Sequence, residues 1–200
     1  MKLYIVRHGE SANNASGMWT GWQDVPLTEK GILEARALRP LFSGIAFDRV
    51  FASDLQRAWQ TGEEILPNTP YEKTELLREM GIGTLMGVKH SDVSESMKAE
   101  IKKSGGYQSF GGESREEFVA RIGSFMKMLE SLDCENVAAF AHAGVVRTVL
   151  DLVVGVRLPR DRINCSNCAL AVFEYQNGKW MLHSWLNQAG EADAQKQKIV

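Results

Sequence analysis

Short runs rich in apolar residues alternate along the chain with segments of helical periodicity. The runs have the length of strands, and the one at Asn136–Ala141 (NVAAFA) is apolar enough to be buried on both faces of a sheet. The predicted strands are Leu3–Arg7, Asp48–Ala52, Glu72–Leu77, Asn136–Ala141, Leu170–Tyr175 and Lys179–Trp185. The last two flank Gln176-Asn177-Gly178, which predicts a closing hairpin.

Helices are predicted between the strands, where apolar residues recur three or four positions apart. The segment Thr28–Phe42 begins with a suitable N-cap residue, and Ser114 with Glu117 has the capping-box pattern. The same pattern at Ser53 and Gln56 predicts that Ser53 opens a helix. Further helices are expected over Ser94–Lys103, Phe118–Leu132 and Val145–Val154.

The alternating order of these elements predicts an α/β fold. We expect a three-layer sandwich with a mostly parallel central sheet, helices on both faces and a single domain over residues 1–200. Residues 81–112 are polar and rich in Gly and Ser, and we expect them to form a small insertion that covers one edge of the sheet and the active site. The polar residues 188–200 are predicted to form a flexible tail.

The composition is that of an ordinary globular protein. The 200 residues are 44% hydrophobic and 24% charged, and the net charge of −2 gives no general attraction to nucleic acids or anionic membranes. The first residues lack the apolar core of a secretory signal, and no apolar run has the length of a membrane span.

The sparse cysteines, Cys134, Cys165 and Cys168, favour a reducing, cytoplasmic setting. Cys165 and Cys168 have the spacing of metal ligands, but no second pair accompanies them, so we predict no metal site.

Charged and imidazole side chains follow the ends of several predicted strands. Arg7-His8-Gly9 ends the first strand, Arg57 follows the second, and His142-Ala143-Gly144 follows NVAAFA. Because ligands of such sheets bind beyond the carboxyl ends of parallel strands, we expect these groups to lie at one edge. Gly9 and Gly144 would let a ligand approach the backbone, and the helix entered at Ala143 would offer free N–H groups. Together they describe an anion site, and a phosphoryl group is its natural occupant.

His8 is the candidate nucleophile of this site. Arg7 can donate a fork of hydrogen bonds to phosphate oxygens. Nearby arginines should lower the pKa of His8, because positive charge disfavours the imidazolium form. A neutral imidazole can attack phosphorus.

These motifs, in this order, resemble the signature of the histidine phosphatase superfamily, which includes cofactor-dependent phosphoglycerate mutases and many small phosphatases. The segments that carry the resemblance are Arg7-His8-Gly9-Glu10-Ser11, Gly21–Thr28 (GWQDVPLT), Ser53–Thr61 (SDLQRAWQT), Leu77-Arg78-Glu79, Gly111–Ser114 (GGES) and His142-Ala143-Gly144. They span nearly the whole chain. The resemblance implies a phosphohistidine mechanism, without metal or other cofactor, on a small-molecule phosphate ester.

The resemblance also implies a role for each matching residue. His8 would attack the phosphoryl group, and Glu79 would protonate the leaving oxygen and then activate a water molecule. The implied phosphate contacts are Arg7, Asn14, Thr20, Gly21, Arg57, His142 and Ala143. If Glu79 is not the proton donor, Glu10 and Glu113 are the next candidates.

The chain departs from the family pattern in places that bear on its activity. Ala143 stands where the family often has glycine, and Met80-Gly81-Ile82-Gly83 lacks the aromatic residue and second acid that often follow the proton donor. The longer insertion with Arg and Tyr substrate contacts that is typical of the mutases is not visible, which favours hydrolysis. We therefore predict a phosphomonoesterase. A cofactor-dependent phosphoglycerate mutase and an inactive phospholigand-binding regulatory protein are the alternatives.

The remaining histidines and two tryptophans have no comparable pattern. His90 and His183 match no motif, and we expect both to be structural or surface residues. Trp19 and Trp22 either line the substrate entrance or pack beneath its loop.

Overall fold

A six-stranded mixed sheet forms the centre of the part of the chain that the structure describes. The structure, a computed structural model, describes residues 1–187, so the predicted tail at 188–200 lies outside the described residues. The strands are β1 (Lys2–Arg7), β2 (Arg49–Ser53), β3 (Glu72–Thr74), β4 (Asn136–Ala141), β5 (Leu170–Gln176) and β6 (Lys179–Leu186). Their order across the sheet is β3-β2-β4-β1-β5-β6.

The pairing of the strands confirms a mostly parallel sheet with a closing hairpin. Strand β4 pairs in parallel with β1 and β2, and β2 pairs in parallel with β3. Strand β5 pairs antiparallel with β1 and β6. Alternate side chains of β4 belong to different core clusters, since Ala139 packs on one face and Phe140 on the other. The apolar NVAAFA run is therefore buried from both sides, as predicted.

Helices cover both faces of the sheet. They are α1 (Ala12–Ala15), α2 (Glu29–Ala37), α3 (Arg39–Phe42), α4 (Gln56–Ile65), α5 (Glu95–Ser104), α6 (Arg115–Glu130) and α7 (Ala143–Val154). Side chains such as Phe125 of α6 and Val149 of α7 fill the core on one face. On the other face, α2, α3 and α4 contribute residues such as Ala35, Phe42 and Ile65. The predicted three-layer α/β sandwich is confirmed.

The helix predicted over Thr28–Phe42 is divided into α2 and α3. Thr28 caps α2 as expected, and its hydroxyl accepts a hydrogen bond from Gly31 N–H at 3.1 Å. The division falls at Leu38, just before Pro40. A proline has no N–H to donate, and its ring clashes with the carbonyl of the preceding turn, so a continuous helix through this position is unfavourable.

Ser53 does not open a helix, so the capping box predicted there is wrong. Ser53 is the last residue of β2, and Leu55 occupies the N-cap position of α4 without a side-chain cap. The strand extends one residue farther than the apolar run because Ser53 still pairs with Thr74 of β3. The other capping box is confirmed, since Ser114 and Glu117 bond reciprocally at the start of α6.

Residues 81–112 contain short 3₁₀ turns and α5, the helix expected near Ser94–Lys103. Backbone hydrogen bonds join this segment to an earlier loop: Trp19 N–H donates to Val88 O at 2.9 Å, and Gly87 N–H donates to Trp19 O at 2.8 Å. The segment and the loop together form one wall of the cavity described below. Within residues 1–187, no helix is long and apolar enough to cross a membrane.

Candidate active site

A cavity of about 1100 Å³ opens beyond the carboxyl ends of the parallel strands. It brings together most of the residues predicted from the sequence. Those that line it are Arg7, His8, Asn14, Thr20, Gly21, Arg57, Glu79 and Ala143. His142 is fully buried behind this surface, with its ring centre 5.1 Å from that of His8.

The backbone fixes the orientation of the His8 ring. Its Nδ1 lies 2.7 Å from Gly9 O, and because a carbonyl oxygen only accepts, Nδ1 carries the proton. The lone pair of the neutral ring is therefore on Nε2. Burial lowers the pKa of His8 well below its ordinary value, and the charges of Arg57 and Arg7 lower it further. The arginine effect predicted from the sequence is present, but burial is the larger cause.

Ser53 forms a hydrogen bond with the second buried histidine, His142. Its hydroxyl lies 2.9 Å from His142 Nε2 and accepts a hydrogen bond from Leu55 N–H at 3.3 Å. This hydrogen bond holds the ring in place and leaves Nδ1 as the ring nitrogen without a partner in the described chain. Burial, followed by the charge of Arg57, lowers the pKa of His142 well below its ordinary value.

The two arginines of the site use their terminal nitrogens to hold the backbone. Arg57 donates to Gln23 O at 2.9 Å and to Gly21 O at 2.8 Å, and Arg7 donates to Cys165 O at 2.5 Å. Burial lowers the pKa of Arg57 to about 10, which leaves it charged at neutral pH. Three buried nitrogens next to His8 have no hydrogen-bond partner within residues 1–187; they are Arg7 Nε, Arg57 Nε and His142 Nδ1.

Neighbouring protein atoms leave little room for a side chain at the glycines of the two motifs. A Cβ on Gly9 would overlap the carbonyl oxygen of Gly31 in α2. A Cβ on Gly144 would overlap the carboxylate of Glu79. Close packing is therefore one reason for a glycine at each position. Gly144 also lines the cavity, and the approach of a ligand to these two backbone positions stays a prediction.

Glu79 lies at the N-terminus of α7, where free N–H groups and the helix dipole favour a negative charge. Its Oε2 accepts from Gly144 N–H at 3.0 Å, and its Oε1 accepts from Met80 N–H at 2.9 Å. One of the N–H groups that we expected to bind phosphate is therefore used by this carboxylate. Glu79 still borders the cavity and interacts electrostatically with Arg7 and Arg57.

A partly buried ion pair holds the Glu79 segment in place. Arg121 of α6 donates to the carbonyl oxygens of Arg78 and Glu79, at 2.9 and 3.2 Å. It also forms two hydrogen bonds with the carboxylate of Glu113, at 2.9 and 2.8 Å. The indole of Trp22 donates to Glu79 O at 2.6 Å. Because bidentate charged pairs have a defined geometry, this arrangement fixes where the Glu79 carboxyl group can lie.

The alternative proton donors have other partners. Glu10 accepts from Lys30 Nζ at 2.8 Å and from the Thr28 hydroxyl at 2.9 Å. Glu113 is committed to Arg121, and neither acid is among the cavity-lining residues. Of the three acids named from the sequence, the structure brings only Glu79 to the cavity.

Asn14 and Trp19 also border the cavity, with different contacts. The side-chain oxygen of Asn14 accepts from the backbone N–H of Ser11 at 3.2 Å, as part of the cap of α1. Trp19 packs against the rings of His90 and Tyr107, at 5.7 and 5.8 Å between centres. Trp19 therefore lines the entrance, whereas Trp22 supports Glu79 from outside the cavity.

Sequence reasoning missed several residues of the site. His90 borders the cavity, although it matches no motif, whereas His183 is about half exposed on β6, as expected. The role of Ser53 toward His142 has no local signal, since its nearest sequence pattern indicates a cap. A group of arginines on α6, on α7 and after it also borders the cavity; its members are Arg115, Arg147, Arg157 and Arg160.

Cys165 and Cys168 are free, buried thiols. Burial raises the pKa of both, that of Cys165 to about 11, so neither is a thiolate at neutral pH. In the described part of the chain, no group of three or more His, Cys, Asp or Glu side chains is arranged to hold a metal ion.

The buried histidines should make the stability of the fold depend on pH. In the unfolded chain, each histidine binds a proton as the pH falls through about 6.5, whereas the lowered pKa values of His8 and His142 keep both neutral in the folded protein. The unfolded state therefore binds more protons below that pH. The free energy of unfolding should fall by up to about 1.4 kcal/mol per pH unit for each histidine, until the folded pKa values are reached.

Urea denaturation between pH 7.5 and 5 measures this slope. In His8→Asn, whose amide can still donate to Gly9 O, the slope should be smaller than in the wild type. His183→Asn, at an exposed position, is the matched control and should keep the wild-type slope. Equal slopes in wild type and His8→Asn would contradict a neutral, buried His8.

The fold and the site together define an α/β protein with a cationic cradle around a buried, neutral histidine. The sequence model of the histidine phosphatase superfamily (branch 1) matches residues 3–188. The chain belongs to this superfamily.

Individual relatives include phosphatases and mutases. The chain is 33% identical over 157 residues to adenosylcobalamin/alpha-ribazole phosphatase of Salmonella typhimurium, covering 75% of this chain and 78% of that protein. It is 31% identical over 187 residues to 2,3-bisphosphoglycerate-dependent phosphoglycerate mutase 2 of Gloeobacter violaceus, covering 87% of this chain and 85% of that protein. Its fold matches the crystal structure of the alpha-ribazole phosphatase from Shigella flexneri with a TM-score of 0.81 at 26% identity, covering 94% of this chain and 98% of that one.

Proposed function

We propose that this protein is a metal-independent phosphomonoesterase that acts on small phosphorylated metabolites through a phosphohistidine at His8. The observation that carries the proposal is the set of buried nitrogens without a hydrogen-bond partner in residues 1–187: the donors Arg7 Nε and Arg57 Nε, and His142 Nδ1. A phosphoryl group supplies acceptor oxygens for such donors, and their charge would offset the charge that develops on it. Membership of the superfamily and the similarity to alpha-ribazole phosphatases support the same conclusion.

The reaction has two steps. In the first, His8 Nε2 forms a bond to phosphorus while the bond from phosphorus to the ester oxygen breaks, and Glu79 gives its proton to that oxygen. In the second, Glu79 takes a proton from a water molecule whose oxygen attacks phosphorus. The bond between nitrogen and phosphorus breaks, phosphate leaves, and both side chains return to their starting forms. The hydrogen bond from Nδ1 to Gly9 O holds the ring in the required tautomer throughout.

Phosphate release in the presence of a chelator tests the proposal. With EDTA, turnover of p-nitrophenyl phosphate and of a panel of sugar, glycerol and amino acid phosphates should stay within about twofold of its value with added Mg²⁺, because cationic side chains hold the phosphoryl group. Vanadate should inhibit, because it mimics the five-coordinate phosphoryl group of the transition state. Activity that disappears with chelator and returns with Mg²⁺ or Zn²⁺ would refute the assigned chemistry.

A phosphoglycerate mutase is the second candidate, favoured by the similarity to the Gloeobacter violaceus enzyme. Mutase activity would use the same phosphohistidine but return the phosphoryl group to a second hydroxyl of the substrate instead of to water. Conversion of 3-phosphoglycerate into 2-phosphoglycerate without net phosphate release distinguishes it from hydrolysis. An inactive, ligand-binding protein is disfavoured, because the nucleophile, the acid and both arginines meet at one cavity.

We also propose a cytoplasmic location. The three cysteines are free thiols, and two of them are buried. Free thiols persist in the reducing conditions of the cytoplasm, which supports this location.

A further inference from the structure

We call Arg7, Arg57 and His142, which are proposed to hold the phosphoryl group, the phosphoryl cradle. The cavity carries more positive charge than this cradle alone. Besides Arg7 and Arg57, the lysine and arginine side chains that line it are Lys98, Lys102, Arg115, Arg147, Arg157 and Arg160. Among the cavity-lining residues within 1–187, the acidic ones are Glu79 and Asp161. The whole chain has a net charge of −2, so positive charge is concentrated at this cavity. A cavity lined by one sign of charge raises the local concentration of the opposite ion.

Four of these side chains form what we call the arginine cluster: Arg115, Arg147, Arg157 and Arg160. One buried carboxylate, Asp151 of α7, supports two of its members. Arg160 bonds to Asp151 Oδ2 at 2.6 Å, and Arg115 lies 3.9 Å from the same oxygen. The other oxygen of Asp151 accepts from Leu158 N–H at 3.0 Å, which ties down the loop that follows α7. One carboxylate cannot neutralise four guanidinium groups, so the cluster keeps an excess of positive charge.

Arg147 connects the cluster to the phosphoryl cradle. It is half-buried, and one terminal nitrogen donates to Ile163 O at 3.1 Å. Its Nε is buried and has no acceptor within the described chain. Burial is the main cause that lowers the pKa of Arg7, and the charge of Arg147 lowers it further, so the two guanidinium groups repel each other. A buried charged donor without an acceptor is unfavourable, and an oxyanion at this position would relieve both the missing hydrogen bond and the repulsion.

We propose that the arginine cluster binds a second oxyanion of the substrate, a carboxylate or a second phosphate, at a subsite beside the phosphoryl cradle. The preferred substrates are then phosphomonoesters that carry another anionic group. The volume of about 1100 Å³ leaves ample space for such a molecule beyond its phosphoryl group. Arginine suits this role because its planar fork matches the geometry of carboxylates and phosphates. This inference narrows the substrate class of the proposed function. It rests on that function, because the subsite can affect turnover only if the protein hydrolyses phosphomonoesters.

Matched substrate pairs test the subsite. Phosphoserine differs from phosphoethanolamine by a carboxylate, and fructose 1,6-bisphosphate differs from fructose 6-phosphate by a second phosphate. In the wild type, kcat/KM should favour the more anionic member of at least one pair by about 10-fold to 100-fold, the usual effect of hydrogen bonds to a charged group. Preference in the first pair identifies a carboxylate, and preference in the second identifies a phosphate.

Arg147→Gln should remove most of that preference. Because Arg147 also bonds to Ile163 O, the second variant is Arg157→Gln, an exposed side chain whose loss should lower the same ratio without disturbing the fold. Arg162→Gln is the matched control. It lies in the same loop but borders a separate, smaller hollow, so the ratio should stay within about twofold of the wild type.

Binding to the His8→Ala protein gives the same comparison without turnover. Calorimetry should show the more anionic member of the preferred pair binding about 10-fold more tightly, and Arg147→Gln in that background should abolish the difference. Equal affinities within both pairs, or a preference that survives in Arg147→Gln and Arg157→Gln, would overturn the subsite. Absence of p-nitrophenyl phosphate turnover in the wild type would overturn the proposed hydrolysis alone, because the binding comparison would still report on the cluster.

Discussion

His8→Ala is expected to lower kcat for p-nitrophenyl phosphate by at least about 10⁴-fold, a loss of the size seen when a covalent nucleophile is removed. The reason is geometric. Nδ1 is committed to Gly9 O, so Nε2 carries the lone pair, and burial with two nearby arginines keeps the ring neutral. No other histidine of the site combines these features, since His142 Nε2 is bonded to Ser53.

The intermediate provides a second, independent measurement of the same prediction. Wild-type protein that is quenched during turnover of a labelled substrate should retain label that is stable in base and lost in acid, as phosphohistidine is. His8→Ala should retain none. His183→Ala, at the half-exposed histidine of β6, is the control and should keep wild-type turnover. Label recovered on serine or cysteine, or full turnover in His8→Ala, would refute the histidine mechanism.

Glu79→Gln is expected to slow the hydrolysis of alkyl phosphates by a factor on the order of 10²–10⁴, the usual contribution of a general acid. An alkoxide is a poor leaving group and needs a proton strongly, whereas nitrophenolate leaves with little assistance. The phosphorylation step with p-nitrophenyl phosphate should therefore be affected much less. A burst of nitrophenol should appear if hydrolysis of the intermediate becomes rate-limiting.

The hydrogen bonds of the Glu79 carboxylate affect how the result for Glu79→Gln must be interpreted. Both oxygens of Glu79 accept backbone N–H groups, from Met80 and Gly144. Glutamine has one oxygen and one NH₂ group, so one of these two donors would face another donor. Part of any loss will therefore come from displacement of the side chain rather than from the missing proton.

Arg121→Lys separates the two effects. It keeps the carboxyl group but weakens the contacts from Arg121 to Glu113 and to the Glu79 backbone, so both leaving groups should lose rate to a similar degree. Pre-steady-state release of the alcohol and of nitrophenol from wild type and both variants makes the comparison. If Glu79→Gln slows phosphorylation equally with both substrates, Glu79 positions the phosphoryl group and is not the proton donor.

Local sequence patterns were sufficient to predict those elements whose structure depends on their own residues. The NVAAFA run predicts a strand buried on two faces, because the five consecutive apolar residues after Asn136 leave no side for water. Ser114 and Glu117 predict the start of α6, because both partners of that cap lie within one turn. Pro40 carried a local signal that was overlooked, since a proline at that point of a helical pattern divides the helix.

Such local patterns do not predict contacts between distant segments. Ser53 and Gln56 have the spacing of a cap, yet the hydroxyl of Ser53 instead contacts His142, which is 89 positions away. At Gly144, the Glu79 carboxylate leaves little room for a side chain, a constraint that the local sequence does not show. In each case the important contact comes from a residue that is distant in the sequence.

The sequence by itself determined the order and type of most elements and named most of the residues that meet at the candidate active site. Arg7 and His8 adjoin one strand end, and Arg57 and His142 follow two others, so parallel pairing is enough to bring them together. Only the tertiary structure decided the tautomer of His8, the position of Glu79 at the start of α7 and the convergence of the arginine cluster. These depend on distances between atoms from separate elements, and spacing along a chain does not encode such distances. The arginines of the cluster come from the start of α6, from α7 and from the loop after it, and folding alone places them at one cavity.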